Sequence, residues 1–316
     1  MKVVITRKLP GDAEQMIRNA SHDVWIHEDD CVIPRDLLLS KVQDADALIT
    51  LLTDKVDTDL LKNAPNLKIV ANYAVGFDNI DVKACCEHDV ICTNTPDVLT
   101  DATAEIAILV LLGAARRAKE GIEWANKKNW KWSADFLMGK QLTGSRLGIL
   151  GMGRIGGAVA DRARSFGMKI HYFNRSRLKK NLEKDAVYHK SLESLLSVSD
   201  FLSINCPATK ETKHIINEKT IKNFPDGAVI SNSARGDMID DEAMVKALKS
   251  GKIFSLGLDV YNGEPNIHPE YLALPNVFVL PHLGSSTIKT RVAMGDLAVS
   301  NIIEFFKTGK CKNKIN

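Results

Sequence analysis

The stretch LGILGMGRIGGAVADRARSFGMKIHYF, residues 147–173, decides how the rest of the chain is read. An apolar run, Leu147–Leu150, leads straight into Gly151, Gly153 and Gly156 at G-x-G-x-x-G spacing. Ile155, Val159 and Ala163 then recur at the period of a helix, and a second strand-like run, MKIHYF, follows. Three spaced glycines alone are a weak signal. A strand before them, a helix opening on them and a second strand after them make the βαβ context that a dinucleotide-binding turn requires. In that turn Gly151 makes the tight bend, Gly153 lets backbone approach a pyrophosphate, and Gly156 lets helix and strand close together. The helix N-terminus then faces the phosphates.

The end of the second strand, YFNRSR, carries the cofactor choice. An acidic residue here normally binds the ribose hydroxyls of NAD. This chain has Asn174, followed by Arg175, Ser176 and Arg177. A carboxylate that would repel a 2′-phosphate is absent, and two guanidinium groups and a hydroxyl that can bind one are present. The expectation is NADP(H) preferred, with NAD(H) possible. The plain alternative is a basic surface loop, since RSRLKK continues with lysines.

Outward from this unit, short β-rich runs alternate with helical patterns. KVVIT, DVWIH, ALITLL, LKIVANYA and VICTN precede residue 99; RLGILG, KIHYF, DFLSIN, GAVISN, FSLGLDV and VFVLPH follow residue 145. Alternation of this kind predicts right-handed βαβ crossovers and parallel sheets covered on both faces. The expected fold is therefore α/β, with two doubly wound parallel-sheet domains: a flavodoxin-like substrate domain of residues 1–99 plus 284–316, and a Rossmann dinucleotide-binding domain of residues 100–283. A ligand cleft is expected between them. Residues 100–128 have few breakers and read as one long helix, capped by Thr100 or Asp101 with Glu105 near its first turn. Ser285–Thr308 reads as a closing helix capped by Ser285 or Ser286, returning to the first domain.

Bulk properties narrow the function classes. The 316 residues are 45% hydrophobic and 26% charged, an ordinary globular composition with room for two domains. A net charge of +3 gives no basic field for nucleic acid, and the Lys-rich end KTGKCKNKIN reads as a solvated terminus. The start MKVVITRKLPG lacks a signal-peptide core, and the longest apolar run, Ile106–Leu112, is far short of a membrane span. Cys31, Cys85, Cys86, Cys92, Cys206 and Cys311 form no C-x-x-C pair and fit no zinc spacing, so no metal is expected and the setting reads as cytoplasmic.

Three stretches carry candidate chemistry, each just past a predicted strand of the second series: Arg235 in SARGDMID, Asp259 and Glu264 in LDVYNGEP, and His282 in VLPHLGSST. Ligands of open α/β sheets bind at that edge. Together the three types suit reduction of a keto acid. Arg235 holds the carboxylate and carbonyl side, His282 gives a proton to the oxygen as hydride reaches the carbon, and Glu264 fixes the imidazole. Taken singly, each residue has a structural alternative; Arg235, for instance, can pair with Asp237.

NYAVGFDNID, NTPDVLTDATAE, LGILGMGRIG, NSARGDMID, LDVYNGEP and LPHLGSST, in this order from about residue 47 to 295, resemble the D-isomer-specific 2-hydroxyacid dehydrogenases, most of all the glyoxylate/hydroxypyruvate reductase branch. The resemblance implies that Arg235, Glu264 and His282 are catalytic. It implies that the amides of Val75 and Gly76 bind the substrate carboxylate, with Leu52 and Ser285 beside the substrate. It also places Thr103, Arg154, Ile155, Cys206, Pro207, Thr212, Ser233, Ala234, Asp259, His282 and Gly284 on the cofactor, Asp259 at the nicotinamide carboxamide. A homodimer through the dinucleotide-binding domain is implied, with Trp130, Trp132 and Phe136 either packing there or reaching the neighbour's site. A chain ending at residue 316 disfavours the longer phosphoglycerate dehydrogenases. The expected activity is NADPH-dependent reduction of small 2-keto acids such as glyoxylate and hydroxypyruvate to D-2-hydroxy acids. The alternatives are an NAD-linked dehydrogenase for a sugar acid or phosphoglycerate, and a non-enzymatic, corepressor-like dinucleotide sensor.

Overall fold

A computed structural model of the chain describes residues 1–20, 23–127 and 129–316. The chain divides into two compact units, Met1–Leu99 with Ser285–Asn316, and Thr100–Gly284. In the first, β1 (Lys2–Ile5), β2 (Asp23–Ile26), β3 (Ala47–Thr50), β4 (Ile69–Asn72) and β5 (Ile91–Thr93) form a parallel sheet in the order β2-β1-β3-β4-β5. In the second, β6 (Arg146–Leu150), β7 (Lys169–Phe173), β8 (Val187–Tyr188), β9 (Phe201–Ile204), β10 (Ala228–Asn232), β11 (Ile253–Leu258) and β12 (Val277–Val279) run parallel in the order β12-β11-β10-β9-β6-β7-β8. Both orders reverse direction once, between β1 and β3 and between β6 and β9. That reversal defines a doubly wound sheet and opens a crevice at the strands' C-terminal ends.

The residue pattern explains the layers. Strands β3, β4, β9 and β10 are buried at every position, so neither face meets solvent and even their polar members Thr50, Asn72, Ser203, Ser231 and Asn232 are buried. Successive side chains feed opposite faces of the second sheet. Phe201 and Val229 join the core that holds Val159 and Ala163 of the helix Arg154–Ser165. Leu202 and Ile230 join the core that holds Met244 and Leu248 of the helix Asp241–Ser250. The helix Ile288–Thr308 packs on β4 and on the helix Ala13–Ala20 of the first unit.

Three sequence expectations need correction. The long helix is two helices, Thr100–Ala115 and Ala118–Lys127, separated where Arg117 takes φ 55°; Lys128 lies outside the described residues. The first of these helices already begins at Thr100, so Thr100 and Asp101 lie inside its first turn and neither is its cap. The closing helix begins at Ile288, and its cap is Thr287, whose hydroxyl accepts from the Thr290 amide, so neither Ser285 nor Ser286 caps it. Strand β8, with two residues at a sheet edge, is too short to show a period and was not expected.

The β7–β8 edge holds a histidine pair. His171 Nδ1 and His189 Nε2 lie 2.9 Å apart, and His189 Nδ1 lies 2.7 Å from Ser194 Oγ. One ring must donate and the other accept, so the arrangement works with neutral imidazoles. Burial lowers both affinities for protons, and for His171 the neighbouring His189, Arg146 and Lys169 add to the effect against Asp200. A histidine harder to protonate folded than unfolded stabilises fully above the ordinary value of about 6.5, and that stability is lost as pH falls below it. The unfolding free energy is therefore expected to fall between pH 7.5 and 5.5 by at most ~1.4 kcal/mol per pH unit per proton, and the melting temperature with it. A His189→Gln variant is expected to show a smaller drop in thermal melts across the same range.

Candidate active site

The glycine turn sits at the reversal point of the second sheet. Gly151 follows β6 at φ 93°, and a Cβ there would lie 2.6 Å from the Cys206 nitrogen, just past β9. A Cβ on Gly156 would lie 2.2 Å from the Gly151 carbonyl oxygen. Both glycines are therefore required by the protein's own packing. Gly153 is not: it has φ −86°, caps the helix Arg154–Ser165, and would place a Cβ in open space. Its lack of a side chain is explained by something that must approach the backbone from outside, which is what a pyrophosphate would do. Ile155 is half-buried beneath the turn, and Arg154 is exposed at the helix start.

Asn174 and its neighbours divide their work. Asn174 Oδ1 accepts from the Met152 amide (2.7 Å), and its Nδ2 donates to the Met152 carbonyl (3.4 Å), so this side chain braces the glycine turn. Arg177 donates through Nε and Nη2 to the two oxygens of Glu183 (2.8 and 3.0 Å). Glu183 is buried and also accepts from Tyr172 Oη (2.5 Å), while Tyr172 Oη accepts from the Leu178 amide (3.1 Å). These bonds, Arg177 first, hold the Glu183 carboxyl below its usual range. Sequence reasoning gave both arginines one role; the structure commits Arg177 to Glu183 and leaves Arg175 and Ser176 exposed at the turn.

The three chemistry-bearing stretches lie at the C-terminal ends of β10, β11 and β12. After β10, the buried Asn232 folds the turn: its Oδ1 accepts from the Ala234 amide (3.0 Å), and its Nδ2 donates to the Arg235 carbonyl (2.7 Å). Arg235 Nη1 donates to the Ala234 carbonyl (2.8 Å). Gly236 then lies so close to the next loop that a Cβ would sit 2.0 Å from the Tyr261 carbonyl carbon. The Arg235 turn and the loop to Glu264 are thus packed backbone to backbone. Glu264 Oε2 lies 2.7 Å from His282 Nδ1, and Glu264 Oε1 accepts from the Tyr261 amide (3.2 Å). With Nδ1 donating to a carboxylate, Nε2 is the ring nitrogen left to exchange a proton with a ligand. His282 and Glu264 are about one-third exposed, at 32% and 34%, so the pair is open to solutes.

In the first unit, Leu52 follows β3, and Val75 and Gly76 follow β4; all three are half-buried. Asn79 Nδ2 donates to the carbonyls of Leu51 (3.1 Å) and Asp54 (3.0 Å). Asp54 Oδ2 accepts from the Leu51 amide (2.8 Å) and from the Thr6 hydroxyl. Burial of Asp54 outweighs these bonds and pushes its carboxyl above the usual range.

Residues 108–284 match the model of the D-isomer-specific 2-hydroxyacid dehydrogenase NAD-binding domain. The chain is also 44% identical, over 100% of its length and 96% of the relative's, to a glyoxylate reductase of Thermococcus litoralis. The chain belongs to the D-isomer-specific 2-hydroxyacid dehydrogenase family. Among solved structures, a glyoxylate reductase from Paecilomyes thermophila superposes with TM-score 0.92 at 33% identity, covering 100% of this chain and 98% of that one. An NADPH-dependent glyoxylate/hydroxypyruvate reductase from Sinorhizobium meliloti, in complex with NADP and malonate, gives TM-score 0.87 at 30% identity over 99% and 96%. This 2-hydroxyacid dehydrogenase is an oxidoreductase of the glyoxylate reductase branch and uses a nicotinamide dinucleotide.

Asp259 of the dehydrogenase organises the turn that follows β12. It is 1% exposed, and its two oxygens accept from the amides of Leu283 (2.7 Å) and Gly284 (2.8 Å). Its carbonyl accepts from the His282 amide (2.8 Å). His282 itself stands at φ 56°, in the left-handed region, so three bonds from one residue hold the turn that aims the imidazole. Burial raises the Asp259 carboxyl above its usual value, against these amides and His282. Asp259→Asn keeps one acceptor and sets an NH2 against a backbone N–H. A buried unpaired donor costs ~1–3 kcal/mol, so kcat/KM is expected to fall about 10–100-fold in steady-state assays.

The remaining predicted residues scatter more widely. Thr103 is buried beside Gly284, with its Cγ2 3.4 Å from where a Gly284 Cβ would be. Cys206 lies against Met238 Sδ (3.6 Å), and burial pushes its thiol up to about 11, so it stays protonated. The Thr212 hydroxyl donates to the Pro207 carbonyl (2.9 Å) and closes that loop on itself. Ser233 and Ala234 are half-buried at the Arg235 turn. Ser285 begins the return to the first unit, where its carbonyl accepts from the Thr287 amide (2.8 Å). Trp130 stacks on Phe136 (6.2 Å), and Trp132 is 80% exposed. His27, Asp29 and Cys31, past β2, bring one potential ligand atom each within 4.8 Å of one another, a grouping that cysteine spacing does not show. No helix among the described residues is long and apolar enough to cross a membrane.

Proposed function

We propose that this dehydrogenase is an NADPH-dependent reductase of small 2-keto acids, glyoxylate and hydroxypyruvate, giving D-2-hydroxy acids. The 2.7 Å Glu264–His282 pair, beside the Arg235 turn at one sheet edge, carries the reading. Bound NADPH supplies the hydride. His282 Nε2 gives the carbonyl oxygen its proton, while Glu264 on Nδ1 fixes the ring and offsets its charge. Arg235 binds the carboxylate and carbonyl side with paired donors. Val75 and Gly76 offer amides to the carboxylate, and Leu52 and Ser285 limit the size of the substrate's side chain. Exposed Arg175 supports the preference for a 2′-phosphate, as do the NADP-bound relative and the lack of a carboxylate at Asn174. A panel of 2-keto acids assayed with NADPH and NADH tests this directly. The highest kcat/KM is expected for glyoxylate or hydroxypyruvate with NADPH; a higher value with NADH, or for a bulkier acid, overturns it.

The same reading includes a homodimer formed through the dinucleotide-binding unit. Leu109, Ile122, Trp132 and Met138 of that unit are 45–80% exposed, which supports burial against a second copy. Light scattering is expected to return twice the 34.8 kDa chain mass. All six cysteines are free, which fits a reducing, cytoplasmic setting.

A further inference from the structure

The loop after β4 carries an ordered run of carbonyls. The Ala74 carbonyl accepts from the Thr95 amide (2.9 Å). The Val75 carbonyl accepts from Asn94 Nδ2 (2.9 Å), and the Gly76 carbonyl accepts from Asn72 Nδ2 (2.8 Å). In a planar trans peptide, the N–H of each following residue points opposite to the carbonyl. Fixing these three carbonyls therefore fixes the amides of Val75, Gly76 and Phe77 facing the other way. Among the described residues, none of these three amides donates a hydrogen bond to the protein. Adjacent amides with no protein acceptor are a ready receptor for an anion.

The asparagine orientations are set by their own partners. Asn72 is fully buried, and its Oδ1 accepts from the Thr50 hydroxyl (3.1 Å). Asn79 gives both Nδ2 hydrogens to the Leu51 and Asp54 carbonyls, so it turns its Oδ1 to Asn72, whose NH2 therefore faces Asn79 Oδ1 (3.3 Å) and the Gly76 carbonyl. Asn94 is held through its backbone: its amide donates to the Asn313 carbonyl (3.2 Å), and its carbonyl accepts from Asn301 Nδ2 (3.1 Å). Neither side chain was singled out by its spacing or type in the sequence.

We propose that Asn72 and Asn94 are positioning residues that turn the amides of Val75, Gly76 and Phe77 outward to receive the substrate's carboxylate. The proposal rests on the 2-keto acid reading above and adds the residues that make the receptor. Replacing either asparagine with isosteric aspartate removes the donor and sets a negative oxygen against a carbonyl. The peptide is then free to rotate, and a carbonyl faces the substrate's anion.

The test is calorimetric titration of oxamate, an unreactive 2-keto acid mimic, into the NADPH-saturated enzyme, alongside steady-state kinetics. For Asn94→Asp the oxamate Kd and the glyoxylate KM are expected to rise about tenfold or more, the loss of one hydrogen bond's worth of ordering. The NADPH Kd is expected to stay at its wild-type value, since that site belongs to the other unit. A general loss of structure would instead move both ligands and the melting temperature. Asn94 is only half-buried, so its variant folds even if Asn72→Asp does not. Wild-type oxamate affinity in Asn94→Asp overturns the positioning role. Wild-type enzyme that binds no oxamate and reduces no 2-keto acid overturns the functional reading itself, and the proposal with it.

Discussion

Replacing His282 with alanine is expected to cut turnover of a 2-keto acid by roughly 10²–10⁴-fold, the usual share of a general acid. Reduction of the carbonyl consumes one proton, and the Nδ1 side of the ring is bound to Glu264 at 2.7 Å, so Nε2 is the nitrogen expected to deliver it. The turn is built by Asp259 through the backbone of residues 282–284, so removing the imidazole leaves the chain's path intact. Cofactor affinity, read by NADPH fluorescence titration, is therefore expected to stay within about threefold of wild type, well under 1 kcal/mol. Retention of near-normal kcat would assign the proton to another group. Glu264→Gln should act through the same ring, lowering kcat less than the alanine variant, because a neutral amide still accepts from Nδ1.

The second large effect concerns Arg175. Arg175→Asp is expected to weaken NADPH by about 10–100-fold or more while leaving NADH nearly unchanged. A charge-assisted bond is worth ~1.5–3 kcal/mol, and the new carboxylate adds repulsion. Because Arg175 is exposed, the difference should shrink as salt is raised, which a titration series at low and high ionic strength will show. Equal weakening of both cofactors would return NRSR to a basic surface loop. Arg177→Asp should look different: with its guanidinium already bound to Glu183, its loss is expected to lower the melting temperature along with the NADPH affinity.

The glycine turn was legible because its evidence is contiguous: strand, three glycines, helix and second strand lie within 27 residues. The placement of Arg235, Glu264 and His282 at one sheet edge was legible because each follows a strand-like run, and parallel strands put their C-terminal ends at one edge. What sequence reasoning missed acts at a distance or through the backbone. The bond from Asn94 to the Val75 carbonyl spans 19 positions and leaves no spacing signature. The resemblance gave Asp259 a role toward the nicotinamide, but the bonds its oxygens accept from the Leu283 and Gly284 amides left no mark in the sequence. Arg177 was assigned by residue type, although Glu183, six positions on, competes for it. The helix break at Arg117 was invisible because no glycine or proline marks it: RRAKE carries good helix formers throughout.

The Arg177–Glu183 bond also constrains how this enzyme could change its cofactor over generations. Glu183 is buried, so any change that deletes Arg177 first strands a carboxylate against Tyr172 and must be tolerated as a less stable intermediate. Arg175 has no such dependant, so its replacement is the step open to selection from the outset. If the enzyme prefers NADPH as proposed, a lineage drifting toward NADH would lose Arg175 early and keep Arg177 for its bond to Glu183.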